Sequence, residues 1–399
     1  MMYATRARQS RPELFDERAT IGERLGLAHM DWFLTFAAIG LIGFSVFTLG
    51  QATTHDVPGS PNYYVERQAV YGIFGVIGMV ILSRIDYSRF RELRVGIYTF
   101  MCVSIAGVFV LGAAALGSRR SFELPFFSFQ PSELAKLLLV LALAGFVIDG
   151  ARRGSPIRRT IRYLALGLFP AGMVFLQPDL GTALVLVVGT LAVMYFGGVP
   201  WPHFAAIGGV IVALIALVLV VAPDVGHPVL KEYQEQRLTS FLHPSTDPAG
   251  AGYQQDQSMV AIGAGQKTGR GNQATQTRLD FVPERSTDFI FAVIGERYGF
   301  AGAALVLSLY ALLIWRALRI VTLSKNSYGI LIAGGIAVEL LFQVFINVGM
   351  CLGIMPITGI PLPMMSYGGS SVLATFLAIG VLQSINIQAR LSRQGRFAW

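Results

Sequence analysis

The sequence predicts an all-α polytopic membrane protein of about ten transmembrane helices, with a long extracellular loop between helices 7 and 8. Three observations predict it. Of 399 residues, 54% are hydrophobic and only 14% charged, against about 25% charged in soluble domains, and the mean hydropathy is +0.58. Continuous apolar windows recur along the chain, each long enough to cross ~30 Å of hydrocarbon as a helix of about 20 residues. Only helices and closed barrels leave no backbone group unpaired in lipid, and unbroken rather than alternating runs select helices. Finally, the positive charges cluster in short loops on alternate sides of these windows.

Residues 1–30 form a basic cytoplasmic tail carrying Arg6, Arg8, Arg11, Arg18 and Arg24. Spans follow at about 31–50, 65–83, 95–117, 131–149, 163–177, 180–198, 203–222, 289–315, 328–353 and 366–388. The stretch 31–388 reads as one membrane domain and 389–399 as a second cytoplasmic tail. Ten spans put both termini on one side. That side collects the tail, the loops 84–94 and 150–162, and the residues after the eighth and tenth spans, together 20 of the 31 lysines and arginines. It is therefore the cytoplasmic face of a multi-pass membrane protein.

The net charge of +8 is thus an orientation signal, and no nucleic-acid partner is expected. Cys102 and Cys351 lie within spans without a CxxC partner, which argues against a disulfide framework. The five histidines are scattered without metal-ligand spacing. The first thirty residues are polar, so no cleavable signal peptide is expected. The opposite face carries the polar segment 223–287, and a loop of that length is more often functional than idle.

Four stretches carry candidate chemistry. In 130–136, QPSELAK, Pro131 suits a first helical position and Glu133 favours the positive helix N-terminus. Lys136 shares a face with Glu133 and sits only about 7–8 Å below the outer boundary. The two form either a structural ion pair or a cation facing an outer cavity for an anionic headgroup, because a lysine inside a span should face protein or water. In 177–182, QPDLGT, Pro178 opens a helix with Asp179 in its first turn, as a favourable cap or as a third charge on the same leaflet face.

The stretch 252–271, GYQQDQSMVAIGAGQKTGRG, interleaves glycines with Lys267 and Arg270 and reads as a flexible linker or as a phosphate cradle. It runs into 281–299, FVPERSTDFIFAVIGERYG, which brings Glu284, Asp288 and Glu296 to a membrane–water boundary. Asp288 is either the cap of the next span or a catalytic carboxylate, and Glu296 and Arg297 either neutralise each other or act separately. In 353–371, GIMPITGIPLPMMSYGGSS, Pro356, Pro361 and Pro363 forbid a regular helix. Broken backbone at membrane depth lines a cavity or is buried in protein, and the glycines beside Ser370 and Ser371 also suit close packing.

QPSELAK, QPDLGT, FVPERSTDFIFAVIGE and ITGIPLPMMSYGGSS, in that order, resemble the signatures of the SEDS family (shape, elongation, division and sporulation). The resemblance covers about 30–390, and ITGIPLP before SYGGSS is more similar to the RodA elongation branch than to the FtsW division branch. Two departures are visible: Ser286 stands where the family usually has His, and GRGNQATQT stands where relatives tend to show GKG.

The resemblance implies a peptidoglycan glycosyltransferase that polymerises lipid II on the outer face of the membrane, using an undecaprenyl-pyrophosphate-linked glycan as donor. It also implies a class B penicillin-binding protein as partner, beside membrane lipid. In that chemistry Asp288 would be the general base and Lys136 the cation on the departing pyrophosphate, with Lys267 or Arg270 assisting. Glu133 and Asp179 would orient Lys136 or hold a divalent cation; no other cofactor is expected. Glu284, Ser370 and Ser371 would complete the headgroup site. A flippase or transporter of the same lipid is the alternative, since intramembrane charge and broken helices mark transporters too. A scaffold that recruits the transpeptidase is a third.

Overall fold

The computed structural model describes residues 29–54, 56, 59–111, 113–115, 118–124, 127–151, 154–216, 250–279 and 281–393. The N-terminal tail to residue 28, the end of the expected seventh span at 217–222, positions 223–249 of the long loop, and 394–399 lie outside them. Among the described residues, seven helices are long and apolar enough to cross a membrane. They are α1 (Trp32–Ala52), α2 (Tyr63–Arg84), α4 (Pro131–Gly150), α5 (Pro156–Leu176), α9 (Ile290–Leu323), α10 (Ser327–Cys351) and α11 (Gly369–Arg393). Three shorter apolar helices, α3 (Arg94–Leu111), α6 (Leu180–Phe196) and α7 (Trp201–Ala216), occupy the remaining predicted positions.

Local chemistry sets the helix starts. Asp31 caps α1 by accepting from the Leu34 amide at 3.2 Å, Asn326 caps α10 through Gly329 at 2.9 Å, and Pro131 and Pro156 open α4 and α5. Large apolar side chains such as Trp32, Phe36, Ile73, Phe74, Phe100 and Phe345 stay exposed on helix faces, as expected of surfaces that meet lipid. Helices approach closely where one residue is small. An added Cβ at Gly75 of α2 would lie 2.3 Å from the Phe376 ring of α11, and one at Gly334 of α10 would lie 2.2 Å from Phe196 of α6.

Two polar layers close the bundle, one at each end. At one end, Arg316 of α9 pairs with Asp31, whose backbone N–H and C=O both bond Gln383 of α11. Arg91 and Arg94 pair there with Asp149, and Ser384 donates to the Ile85 carbonyl. The opposite layer holds the motifs described below.

Several expectations need correction. The third span ends at Leu111 rather than 117 and gives way to a small antiparallel sheet, Ala113–Ala115, Ser118–Leu124 and Phe127–Phe129 in that order. α5 begins at Pro156, not 163, so Arg158, Arg159 and Arg162 lie in its first turns instead of a loop. α9 runs on to Leu323, past Arg316, because the Asp31 carboxylate satisfies that guanidinium inside the bundle.

Within the long loop, Ala251–Gly265 is a helix (α8) packed on α9 rather than a linker. The glycines after it permit contact: a Cβ at Gly269, whose φ is +83°, would lie 2.1 Å from the Arg297 carbonyl. α9 is kinked at Gly299, φ 62°. Two N–H groups just beyond the kink, Phe300 and Ala301, bond the Gln266 and Lys267 carbonyls at 2.9 and 3.1 Å.

Candidate active site

The segment between α10 and α11 is non-helical, as its prolines require, and it is buried. Ile357, Ile360, Leu362, Met364 and Met365 are all inside. Its backbone is satisfied by side chains from four helices. Ser45 donates to the Met365 carbonyl at 2.6 Å and Gln68 to that of Ser366 at 3.2 Å. Tyr310 donates to Pro363 at 2.5 Å and Asn347 to Ile360 at 2.8 Å. Broken backbone at membrane depth is thus paid for by buried polar partners.

This segment clamps the acidic stretch. The Tyr367 amide bonds the Ser286 carbonyl at 2.8 Å, Ser366 Oγ bonds the Thr287 carbonyl at 2.6 Å, and Asn347 Nδ2 bonds the Asp288 carbonyl at 2.9 Å. Three successive carbonyls leading to the half-buried Asp288 are therefore fixed. The helix cap falls one residue on, at Phe289, with α9 starting at Ile290. Glu284 is exposed, with φ +49°, and its carboxylate accepts from Thr287 Oγ1 at 3.0 Å.

A second group lies on the neighbouring helices. Lys136 Nζ donates to Glu133 Oε2 at 2.7 Å and to Gln343 Oε1 at 3.0 Å, and both charged residues are buried. Asp179 caps α6 instead of lying in its first turn: Oδ1 accepts the Thr182 amide at 3.0 Å and Oδ2 the Gln130 side chain at 3.0 Å. The Gln130 amide in turn bonds Ser370 Oγ at 2.9 Å, and Ser370 donates to the Ser128 carbonyl at 2.8 Å. Ser371 Oγ is buried with no partner among the described residues. Glu133, Lys136, Asp179 and Ser370 thus gather at the ends of α4, α6 and α11. Glu133 and Asp179 are held by different partners, and among the described residues no group of three or more His, Cys, Asp or Glu could hold a metal.

Sequence reasoning missed what joins the two groups. Glu339, Gln343 and Asn347 repeat every four residues along α10, on one face. Asn347 holds the Asp288 backbone, Gln343 holds Lys136, and Glu339 is buried close enough to Lys136 for their charges to interact. Glu339 Oε1 has no hydrogen-bond partner among the described residues. The signal was present: three polar residues at helical spacing in an apolar span are costly unless they face protein.

Other expectations separate from this core. Arg270 turns to the Ala264 carbonyl and to Thr275 Oγ1, and Lys267 is exposed on the turn after α8. Glu296 and Arg297 do not neutralise each other. The Glu296 carboxylate takes the Gln276 and Thr277 amides at 2.9 and 2.8 Å, while Arg297 donates to Gln51 at 2.9 Å. Successive helical residues do not face each other.

The profile of the cell cycle protein family FtsW/RodA/SpoVE matches residues 29–391. The chain belongs to this family. Escherichia coli K12 peptidoglycan glycosyltransferase MrdB is 34% identical over 364 residues, covering 91% of this chain and 95% of MrdB. Stage V sporulation protein E of Bacillus subtilis is 35% identical, covering 82% and 88%. "Probable peptidoglycan glycosyltransferase FtsW" of Alkalilimnicola ehrlichii is 32% identical, covering 94% of each.

Among solved structures, a chain from a peptidoglycan synthase complex that coordinates polymerization and crosslinking superposes with TM-score 0.74 at 33% identity, covering 90% and 98%. The Thermus thermophilus rod shape determining protein RodA superposes with TM-score 0.66 at 29% identity, covering 91% and 97%. This family member is a multi-pass membrane protein with the helical fold of RodA.

Proposed function

We propose that the chain polymerises lipid II into glycan strands at the outer face of the inner membrane, with Asp288 as general base. The chain is a peptidoglycan glycosyltransferase, as its MrdB and FtsW relatives are named. The observation that carries the residue assignment is the clamp on the 286–288 carbonyls, joined to Lys136 through one face of α10. A base that must meet a hydroxyl within hydrogen-bond reach needs a fixed backbone.

In the reaction the Asp288 carboxylate takes the proton of the acceptor sugar hydroxyl. The oxygen attacks the anomeric carbon of the donor, and the bond from that carbon to the diphosphate oxygen breaks. The diphosphate leaves with the electron pair, and the proton stays on Asp288 until it passes to water. Lys136 supplies a fixed positive charge for the leaving group; Glu133 and Gln343 take two of its three donors, which leaves one for the substrate. Removing one such stabilising donor elsewhere costs about 10²–10³ in rate. Asp179 and Ser370 hold Gln130 and so the start of α4.

The orientation rests on the charge bias, with both termini in the cytoplasm. The crosslinking half of the synthase complex that contains the structural neighbour supports a class B penicillin-binding protein as partner. The test is glycan polymerisation from purified lipid II, with the cognate transpeptidase, comparing wild type with Asp288→Asn. Polymer from wild type and none from a folded Asp288→Asn supports the reading. Equal polymer from both removes Asp288 from the base role. No polymer from either directs the question to lipid flipping.

A further inference from the structure

A cavity of about 360 Å³ opens beside the end of α1, lined by Gln51, Thr54 and Thr277 and by three arginines, Arg278, Arg285 and Arg297. It is separate from the Lys136 group, which lies on α4 and α10. Arg297 is buried, 5% exposed, and its Nε has no hydrogen-bond partner among the described residues although its terminal nitrogen donates to Gln51. Arg285 is also buried, pairs with Asp56 and donates to the Thr277 carbonyl at 2.7 Å. Arg278 is exposed at the rim.

Asp56 offsets one of the three guanidinium charges. Glu296, adjacent to Arg297, is turned onto the Gln276 and Thr277 amides, and Glu284, adjacent to Arg285, is exposed and accepts from Thr287 Oγ1 at 3.0 Å. The described lining therefore keeps an excess of positive charge around a buried, unsatisfied N–H. Burying an unpaired charged donor is costly, so the arrangement is the complement of an anion with several acceptor oxygens.

We propose that this cavity binds a diphosphate-class anion, shared between Arg297 at its floor and Arg278 at its rim. The site is a place for phosphate oxygens additional to Lys136. It stands whether or not Asp288 is the catalytic base.

The test is calorimetric titration of inorganic pyrophosphate into the full-length protein in detergent. Saturable binding is expected in wild type, weakened at least about tenfold, or about 1.4 kcal/mol, by Arg297→Gln and by Arg278→Gln. The exposed Arg278 keeps the test informative if the buried variant folds poorly. Because Lys136 is itself proposed to meet a diphosphate, the titration is repeated in Lys136→Gln, where the arginine site should persist. Absence of saturable binding in wild type, wild-type affinity in both arginine variants, or binding abolished by Lys136→Gln alone would each overturn the proposal.

Competition in nanodiscs then separates the sources. Displacement of pyrophosphate by polyprenyl phosphate but not phosphatidylglycerol assigns the site to a lipid-linked glycan carrier. Displacement by phosphatidylglycerol assigns it to the bulk anionic headgroup. Displacement by neither assigns it to soluble phosphate. The polymerase reading is tested independently by Asp288→Asn.

Discussion

Asn347 is the residue whose loss should separate positioning from folding. Its Nδ2 donates to two carbonyls on different segments, Asp288 at 2.9 Å and Ile360 at 2.8 Å, and its exposure is 0%. Asn347→Leu keeps the apolar bulk and removes both donors. Hydrogen bonds between transmembrane helices average about 0.6 kcal/mol, and a buried acceptor left unsatisfied costs about 1–3 kcal/mol. The Asp288 carbonyl still has a weak contact from Cys351 Sγ at 3.9 Å, so the stability cost should stay within about 1–3 kcal/mol in all. The catalytic cost should be larger. A general base displaced by about 1 Å can lose ~10²-fold in rate, and kcat should fall accordingly with little change in KM. The assay is lipid II polymerisation with the transpeptidase partner, run beside a thermal melt in the same detergent. A stably folded Asn347→Leu that polymerises within twofold of wild type would refute the claim that this clamp positions Asp288.

Lys136→Gln should lower polymerisation by about 10²-fold or more, whereas Glu133→Gln, which keeps a hydrogen-bond acceptor for Lys136, should be milder; the same assay ranks them. Gly189→Ala would put a Cβ 2.0 Å from Glu339 Oε1 and should destabilise by about 1–3 kcal/mol. Adding Glu339→Ala should relieve most of that in a double-mutant cycle of melting temperatures. Arg316→Met strands the Asp31 carboxylate and should cost about 3–5 kcal/mol, while Arg316→Met with Asp31→Asn, which retains the α1 cap, should recover most of the loss. Equal melting of the single and double variants would show that the pair carries no such penalty.

Periodicity and composition were enough to read the apolar helices, because an apolar run of about 20 residues has few alternatives to a helix in lipid. Pro131 and Pro156 fixed two starts, although the second became visible only once its basic first turn was seen as helix. The pairing of Glu133 with Lys136 was equally local, three residues apart on one face. The order of the four motifs also carried the family on its own.

What the sequence could not supply were pairings across the bundle. Asp288 and Asn347 are 59 residues apart, and Lys136 and Gln343 are 207 apart. Local propensity contains no term for either contact. The same limit hid the arginine cavity, since Arg297 looked paired with its neighbour Glu296 until helix geometry turned the two side chains in different directions. The sequence by itself determined that the chain crosses the membrane and which residue types stand at the ends of its spans. Only the tertiary structure decided which of them share a site, because a buried polar atom must find its partner wherever packing brings one within about 3 Å.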